Sequence, residues 1–185
     1  MDLNKLPYYP NILLVTGNGK NVGKTTLSCA LISHFEKEKI IGVKISPHFH
    51  EFDPKVEDVL YQTDDIIIIE EHRKNTGKDS SKLKTAGAFR VFFVMVLDHN
   101  LQEAFDKLME FAGNGFPMII ESAALRNIIV PGKFLLLTHI DRQQPKRSIE
   151  HLMDYVDHKI TLFNDYHDFV PTDISYDSGK WILNV

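Results

Sequence analysis

Gly17-Asn18-Gly19-Lys20-Asn21-Val22-Gly23-Lys24-Thr25-Thr26 has the residue types and spacing needed to hold a phosphate chain. In such a turn consecutive backbone N–H groups point at phosphate oxygens, a lysine reaches the β and γ phosphates, and a hydroxyl holds Mg²⁺. Gly19, Lys20, Asn21, Val22, Gly23, Lys24, Thr25 and Thr26 are therefore the candidate anion ligands, and Thr25 is also a candidate metal ligand. The strict pattern G-x-x-x-x-G-K-[ST] has glycine at position 18, where this chain has Asn18, and Gly17 stands one step early.

A phosphate loop needs a strand feeding it and a helix leaving it. The apolar run Ile12-Leu13-Leu14-Val15 reads as a buried strand. After Lys24, residues Leu27, Ala30, Leu31 and Phe35 recur at helical spacing, and Glu36-Lys37-Glu38-Lys39 closes the segment. The start of that helix turns its free N–H groups and partial positive charge toward the loop.

Further apolar runs at Ile40–Ile45, Ile66–Ile69, Val91–Leu97, Met118–Ile120 and Phe134–Leu137 are mostly continuous, as in strands covered on both faces. Between them, Leu101, Phe105, Leu108 and Phe111 mark a helix, with Asn100 as cap, Glu103 at the third position and Gly113 beyond the end. A last helix is expected from Ser148, carrying Ile149, Leu152, Met153 and Val156. This alternation predicts a single α/β domain over residues 1–185, a mostly parallel sheet covered by helices on both faces, with ligands at the carboxyl ends of the strands. Ile174 to Leu183 reads as a C-terminal β-hairpin turning at Asp177-Ser178-Gly179, an antiparallel edge to that sheet.

Those strand ends carry the remaining candidates. Lys44-Ile45-Ser46-Pro47-His48-Phe49-His50 leads to Asp53, a carboxylate suited to Mg²⁺. His48 and His50 read either as a metal pair or as a polar rim. Arg73, Lys74, Lys78, Lys82 and Lys84, interleaved with Gly77, Asp79, Ser80 and Ser81, read either as a solvated mobile loop or as a grip for an anionic substrate. Glu121 ends the run Met118-Ile119-Ile120, where a carboxylate can hold a metal-bound water; the bland reading is a turn residue. Thr138-His139-Ile140-Asp141 has the spacing of the N-K-x-D element that reads guanine, with Thr138 and His139 in place of its Asn and Lys and Asp141 placed to accept from the base.

The formal charge of −4 and pI near 6.1 provide no basic footprint for nucleic acid. The lone Cys29 suits packing and a reducing compartment. Met1 to Pro10 lacks an apolar leader core, and Val91–Leu97 is too short to span a bilayer, so a cytoplasmic location without membrane contact is expected.

The chain resembles the MobB family of P-loop proteins associated with molybdopterin-guanine dinucleotide biosynthesis. Gly19–Thr26, Val43-Lys44 to Asp53, and Gly77-Lys78-Asp79-Ser80 followed by Ala86-Gly87-Ala88 carry the likeness over about the first half of the chain. Glu121-Ser122 stands where that family has Glu-Gly. The resemblance implies a P-loop NTPase fold, GTP and Mg²⁺ as ligands, slow hydrolysis at most, and a homodimer. It further implies an anionic pterin in contact with Lys78, Asp79 and Ser80, and a nucleotidyltransferase partner. A second likeness, through Val15-Thr16-Gly17, Val22–Thr25, Lys44, Pro47 and Glu121–Ala124, is to dethiobiotin synthetase, which uses ATP. It implies that Thr25, Asp53 and Glu121 hold Mg²⁺ while Lys24 and Lys44 stabilise a transferred phosphoryl group.

Overall fold

A computed structural model of the chain describes residues 3–53, 57–141, 144–164 and 166–185. Nine strands form one sheet in the order β3-β4-β5-β2-β6-β1-β7-β8-β9. In chain order these are β1 (Tyr8–Gly17), β2 (Ile41–Ser46), β3 (Asp58–Gln62), β4 (Ile66–Glu70), β5 (Arg90–Val96), β6 (Met118–Glu121), β7 (Val130–His139), β8 (His158–Phe163) and β9 (Tyr166–His167). From β5 to β8 every neighbouring pair is parallel, whereas β3, β4 and β9 run antiparallel to their neighbours. The fold is therefore α/β with a large, mostly parallel sheet, and its antiparallel strands lie at the two edges.

The sheet buries both faces. On one, helix α3 (Leu101–Ala112) places Leu101, Ala104, Phe105 and Leu108 against Ile12, Leu14, Val43, Phe92, Val94 and Ile120. On the other, α1 (Lys24–His34) and α2 (Asp79–Thr85) place Leu27, Leu31, Ile32 and Leu83 against Leu13, Val15, Val91, Ile119, Leu135 and Leu137. Adjacent residues of β1 thus serve opposite cores, which is why Ile12 to Val15 is apolar without alternation.

Several expectations are corrected. The Ile66–Ile69 run is continuous because it too is covered on both sides, yet β4 is antiparallel: only Thr63-Asp64-Asp65 separates it from β3, too short for a crossover. The buried stripe of α1 is Leu27, Ser28, Leu31 and Ile32; Ala30 is exposed, so the helix is rotated from the face read in the sequence. Asn100 makes no side-chain cap; its backbone N–H instead donates to Leu97 in a short 3-10 turn. The helix expected from Ser148 stops after one turn, α4 (Arg147–Glu150), and a separate 3-10 turn covers Met153–Tyr155; Ile149 and Leu152 are buried nonetheless.

The C-terminal hairpin, β10 (Ile174–Asp177) and β11 (Lys180–Leu183), forms a sheet of its own rather than an edge of the large one. Its two-residue turn, Ser178-Gly179, has positive φ at both positions, as a tight hairpin requires. Trp181 fastens it to the body. Its indole lies 5.3 Å from the Phe35 ring and 5.0 Å from Tyr176, and Nε1 donates to the Asn11 carbonyl at 2.9 Å. No helix of the described residues is long and apolar enough to cross a membrane. Trp181→Ala is expected to cost about 3–5 kcal/mol, the usual loss for truncating a buried aromatic, read as an earlier denaturant midpoint by circular dichroism.

Candidate functional site

Residues 18–23 connect β1 to α1 at the carboxyl end of the sheet. Asn21 and Gly23 both take left-handed backbone conformations, at φ 58° and 82°. Asparagine tolerates that region and glycine adopts it freely. The chain can therefore fold back on itself and enter α1 with no side chain capping the first turn. The opening N–H groups of α1 are left for an anion.

Two departures from the strict motif have structural reasons. Gly17 lacks a Cβ where one would lie 2.6 Å from Val22 Cγ2 and 2.9 Å from the Lys24 side chain, so its bareness lets Lys24 fold back along the loop. Asn18 is buried and works as a two-point clasp: its Nδ2 donates to Gln144 O at 2.7 Å, and its Oδ1 accepts from the Lys146 N–H at 2.7 Å. The backbone N–H of Asn18 also donates to Leu137 O at 2.8 Å. Sequence reading saw in Asn18 only a missing glycine, because its partners lie 126 and 128 residues away.

Beneath the loop the parallel register sets three functional groups side by side: Val15 pairs with Glu121, and Glu121 pairs with Lys44. Thr25 Oγ1 donates to Glu121 Oε2 at 3.1 Å, and Lys24 Nζ donates to Gly19 O at 3.0 Å. Glu121 Oε1 is buried with no hydrogen-bond partner at bonding distance, and the buried Ser28 hydroxyl faces the carboxylate without closing on it. A buried polar atom left unpaired is costly, so this one marks a place shaped for something more. Burial pushes the Glu121 carboxyl above the usual range, with the Lys44 charge and the hydroxyls of Ser28 and Thr25 offsetting part of it. Burial likewise lowers the Lys24 ammonium, opposed by Glu121 and reinforced by Lys44 and Lys146.

Lys44 also pairs with Asp79, the first residue of α2, which holds Lys82 at 2.9 Å as well. Burial alone would raise Asp79, but the bonds from Lys44 and Lys82 hold it below the ordinary carboxylate range. The basic segment is thus no free loop: its second half is α2, and Arg73, Lys78, Lys82 and Lys84 are committed to carboxylates or backbone carbonyls. Arg73 bridges Glu57 at 2.6 Å and Glu71 at 3.1 Å, two nearly buried carboxylates, and Lys78 also meets Glu57. Lys44, Lys78, Asp79 and Ser80 line the polar side of a cavity of about 290 Å³, faced by Phe52 and Phe93. Glu57 and Glu71, which build this wall, were missed in the sequence because each looks like an ordinary surface acid until the strands place it inside.

Other candidates lie apart from this cluster. Asp53 is exposed beyond β2, and the carboxylate whose charge reaches both Lys24 and Glu121 is that of Asp79. Asp141, its side chain 82 % exposed, follows β7 and meets His139 Nδ1 at 3.2 Å. Lys20, Asn21 and Thr26 are exposed on the loop rim, whereas Val22 is buried beneath it. His48 and His50 are exposed, and His50 stacks on Phe93 at 6.1 Å; among the described residues the one group with metal-ligand geometry is Asp58, Glu70 and His72. Arg90 already holds both oxygens of Glu70, at 2.7 and 2.5 Å. Cys29 is half-buried, and burial pushes its thiol up to about 11, in keeping with packing.

No protein-family model, curated protein or solved structure matches this chain. Glu121 offers a direct check on the site's electrostatics. Its folded-state pKa lies above the unfolded value of about 4.3, so the folded protein binds the extra proton and stability falls as pH rises through that window. Glu121→Gln is expected to melt a few degrees higher than wild type at pH 8, the gap closing as pH falls toward 4.5. A wild-type protein more stable than the variant at pH 8 would contradict a penalised carboxylate.

Proposed function

We propose that the chain is a P-loop protein that binds a nucleoside triphosphate together with Mg²⁺. The observation carrying this reading is the pairing of Thr25 with a buried carboxylate whose other oxygen is unpartnered, set at the N-terminus of a helix whose loop lysine folds over it. A hydroxyl and a carboxylate are hard oxygen donors, which suit Mg²⁺. The residues fit that ion: Thr25 and Glu121 would hold it, directly or through water. Bound there, it would supply positive charge against the phosphate oxygens. The N–H groups of the loop and of the first turn of α1 bind the phosphates, and Lys24, released from the Gly19 carbonyl, adds its charge to them. Lys44, one strand beyond Glu121, supplies a second cation to the same region once it parts from Asp79.

The likeness to MobB supports GTP as the nucleotide, with slow hydrolysis at most. The exposed Asp141 beside the clasped segment is in reach of solvent at the end of β7 and suits a guanine contact. On this reading the protein assists a nucleotidyltransferase of molybdenum cofactor assembly, and an anionic pterin occupies the cavity against Lys78, Asp79 and Ser80. One observation favours a second reading, ATP-dependent phosphoryl transfer to a small acid: Lys44 lines that cavity and neighbours Glu121 in register, joining an acceptor site to the phosphate site.

Calorimetry with GTP and ATP, each with Mg²⁺, tests the proposal. Lys24→Ala is expected to weaken binding at least about 100-fold, and chelation of Mg²⁺ to weaken it in wild type. Preference for GTP supports the adaptor reading and preference for ATP the transfer reading. Equal affinity of Lys24→Ala and wild type would remove the site.

A further inference from the structure

β9 belongs to no part of the site so far described, yet it touches the loop. Its register pairs His167 with Leu162 at the end of β8, and the imidazole then crosses to Gly23. A Cβ on Gly23 would overlap His167 Nε2 and lie 2.8 Å from Cε1, so the ring occupies the space that only a glycine leaves open. Nε2 is buried and has no hydrogen-bond partner, while the ring also meets the Val22 backbone. Gly23 is the residue from which α1 springs, and the N–H groups that follow it face the anion. A buried ring nitrogen without a partner therefore lies against the peptide that binds phosphate.

We propose that His167 is a ligand of the phosphate chain held by the 18–23 loop, presented from β9 across Gly23 and taking up a proton when that chain binds. The inference rests on the nucleotide reading above. Burial lowers the imidazole below its ordinary pKa, opposed by the Val22 backbone and by the charge of Asp168. Asp168 is itself engaged, accepting the Thr161 N–H at 2.7 Å, and Lys24 turns its ammonium away to the Gly19 carbonyl. A phosphate oxygen beside Nε2 reverses the balance: the ring takes a proton from solvent and donates a charge-assisted hydrogen bond to the anion. The free protein holds this proton only at acid pH and the complex holds it to higher pH, so affinity falls as pH rises through the pKa of the complex.

The test is calorimetric titration of the full chain with Mg²⁺–GTP, Mg²⁺–ATP and magnesium tripolyphosphate, at pH 6 and pH 8, in buffers of different ionisation enthalpy. Wild type is expected to bind about tenfold more tightly at pH 6 than at pH 8 and to take up protons on binding. His167→Ala is expected to bind all three ligands about tenfold more weakly at pH 6 and to take up fewer protons than wild type, the remainder coming from Lys24, Glu121 and the ligand. His167→Gln, a neutral donor, restores part of the affinity and none of the proton uptake. Unchanged affinity in His167→Ala overturns the proposal, and tighter binding overturns it by making the imidazole an obstruction. If His167→Ala fails to fold, wild type without proton uptake beyond that of His167→Gln overturns it equally. Loss of binding in Lys24→Ala with no effect at His167 sinks this inference alone, whereas wild type that binds none of the three ligands removes the nucleotide reading with it.

Discussion

The carboxylate of Glu121 is buried where three parallel strands end, and the site is arranged around that burial. Register places it between Val15, which leads into the loop, and Lys44, which leads toward α2. Thr25 reaches it from above, and Lys24 lies within reach of its charge. An isolated buried anion is expensive, and a surrounding of one hydroxyl bond and distant ammonium groups only partly offsets that expense. The carboxylate is therefore only partly compensated, and on the proposed reading a divalent cation with its phosphates would complete its surroundings.

α2 translates this arrangement into the neighbouring cavity. Asp79 holds Lys44 at one end of the helix, and Arg73 and Lys78 tie the preceding turn to Glu57 and Glu71. Each cation of the wall already has an anion, so a ligand entering the cavity competes for partners rather than meeting bare charge. Lys44 is shared between the cavity and the Glu121 carboxylate, and its choice of partner couples the two.

Local chemistry was legible in the sequence, and long-range placement was not. The loop, α1 and the buried strands could be read because glycine spacing and unbroken apolar runs report directly on backbone shape and two-sided burial. The direction of β4 could not, since continuous burial is blind to strand polarity; the short Thr63–Asp65 link was the available clue. The face of α1 read from the sequence is rotated by roughly a sixth of a turn, because Ile32 and Ser28, not Ala30, face the sheet, a choice made by neighbours in β1 and β6. At the site, Lys24, Thr25, Lys44 and Glu121 were singled out and do converge. Asn18, Glu57, Glu71 and His167 were passed over, as each gains its meaning from a residue far along the chain.

The clasp at Asn18 changes when the loop becomes ordered. A glycine there, as the strict motif has, would leave the loop free to sample many shapes, and a ligand would have to select one of them as it binds. Asn18 instead ties the loop to residues 144–146 during folding, so the conformational entropy is lost once, before any ligand arrives. A receptor prepared in this way binds more tightly for the same set of contacts. It also makes residues 144–146 part of the loop's own scaffold, so whatever displaces them loosens the loop from outside it.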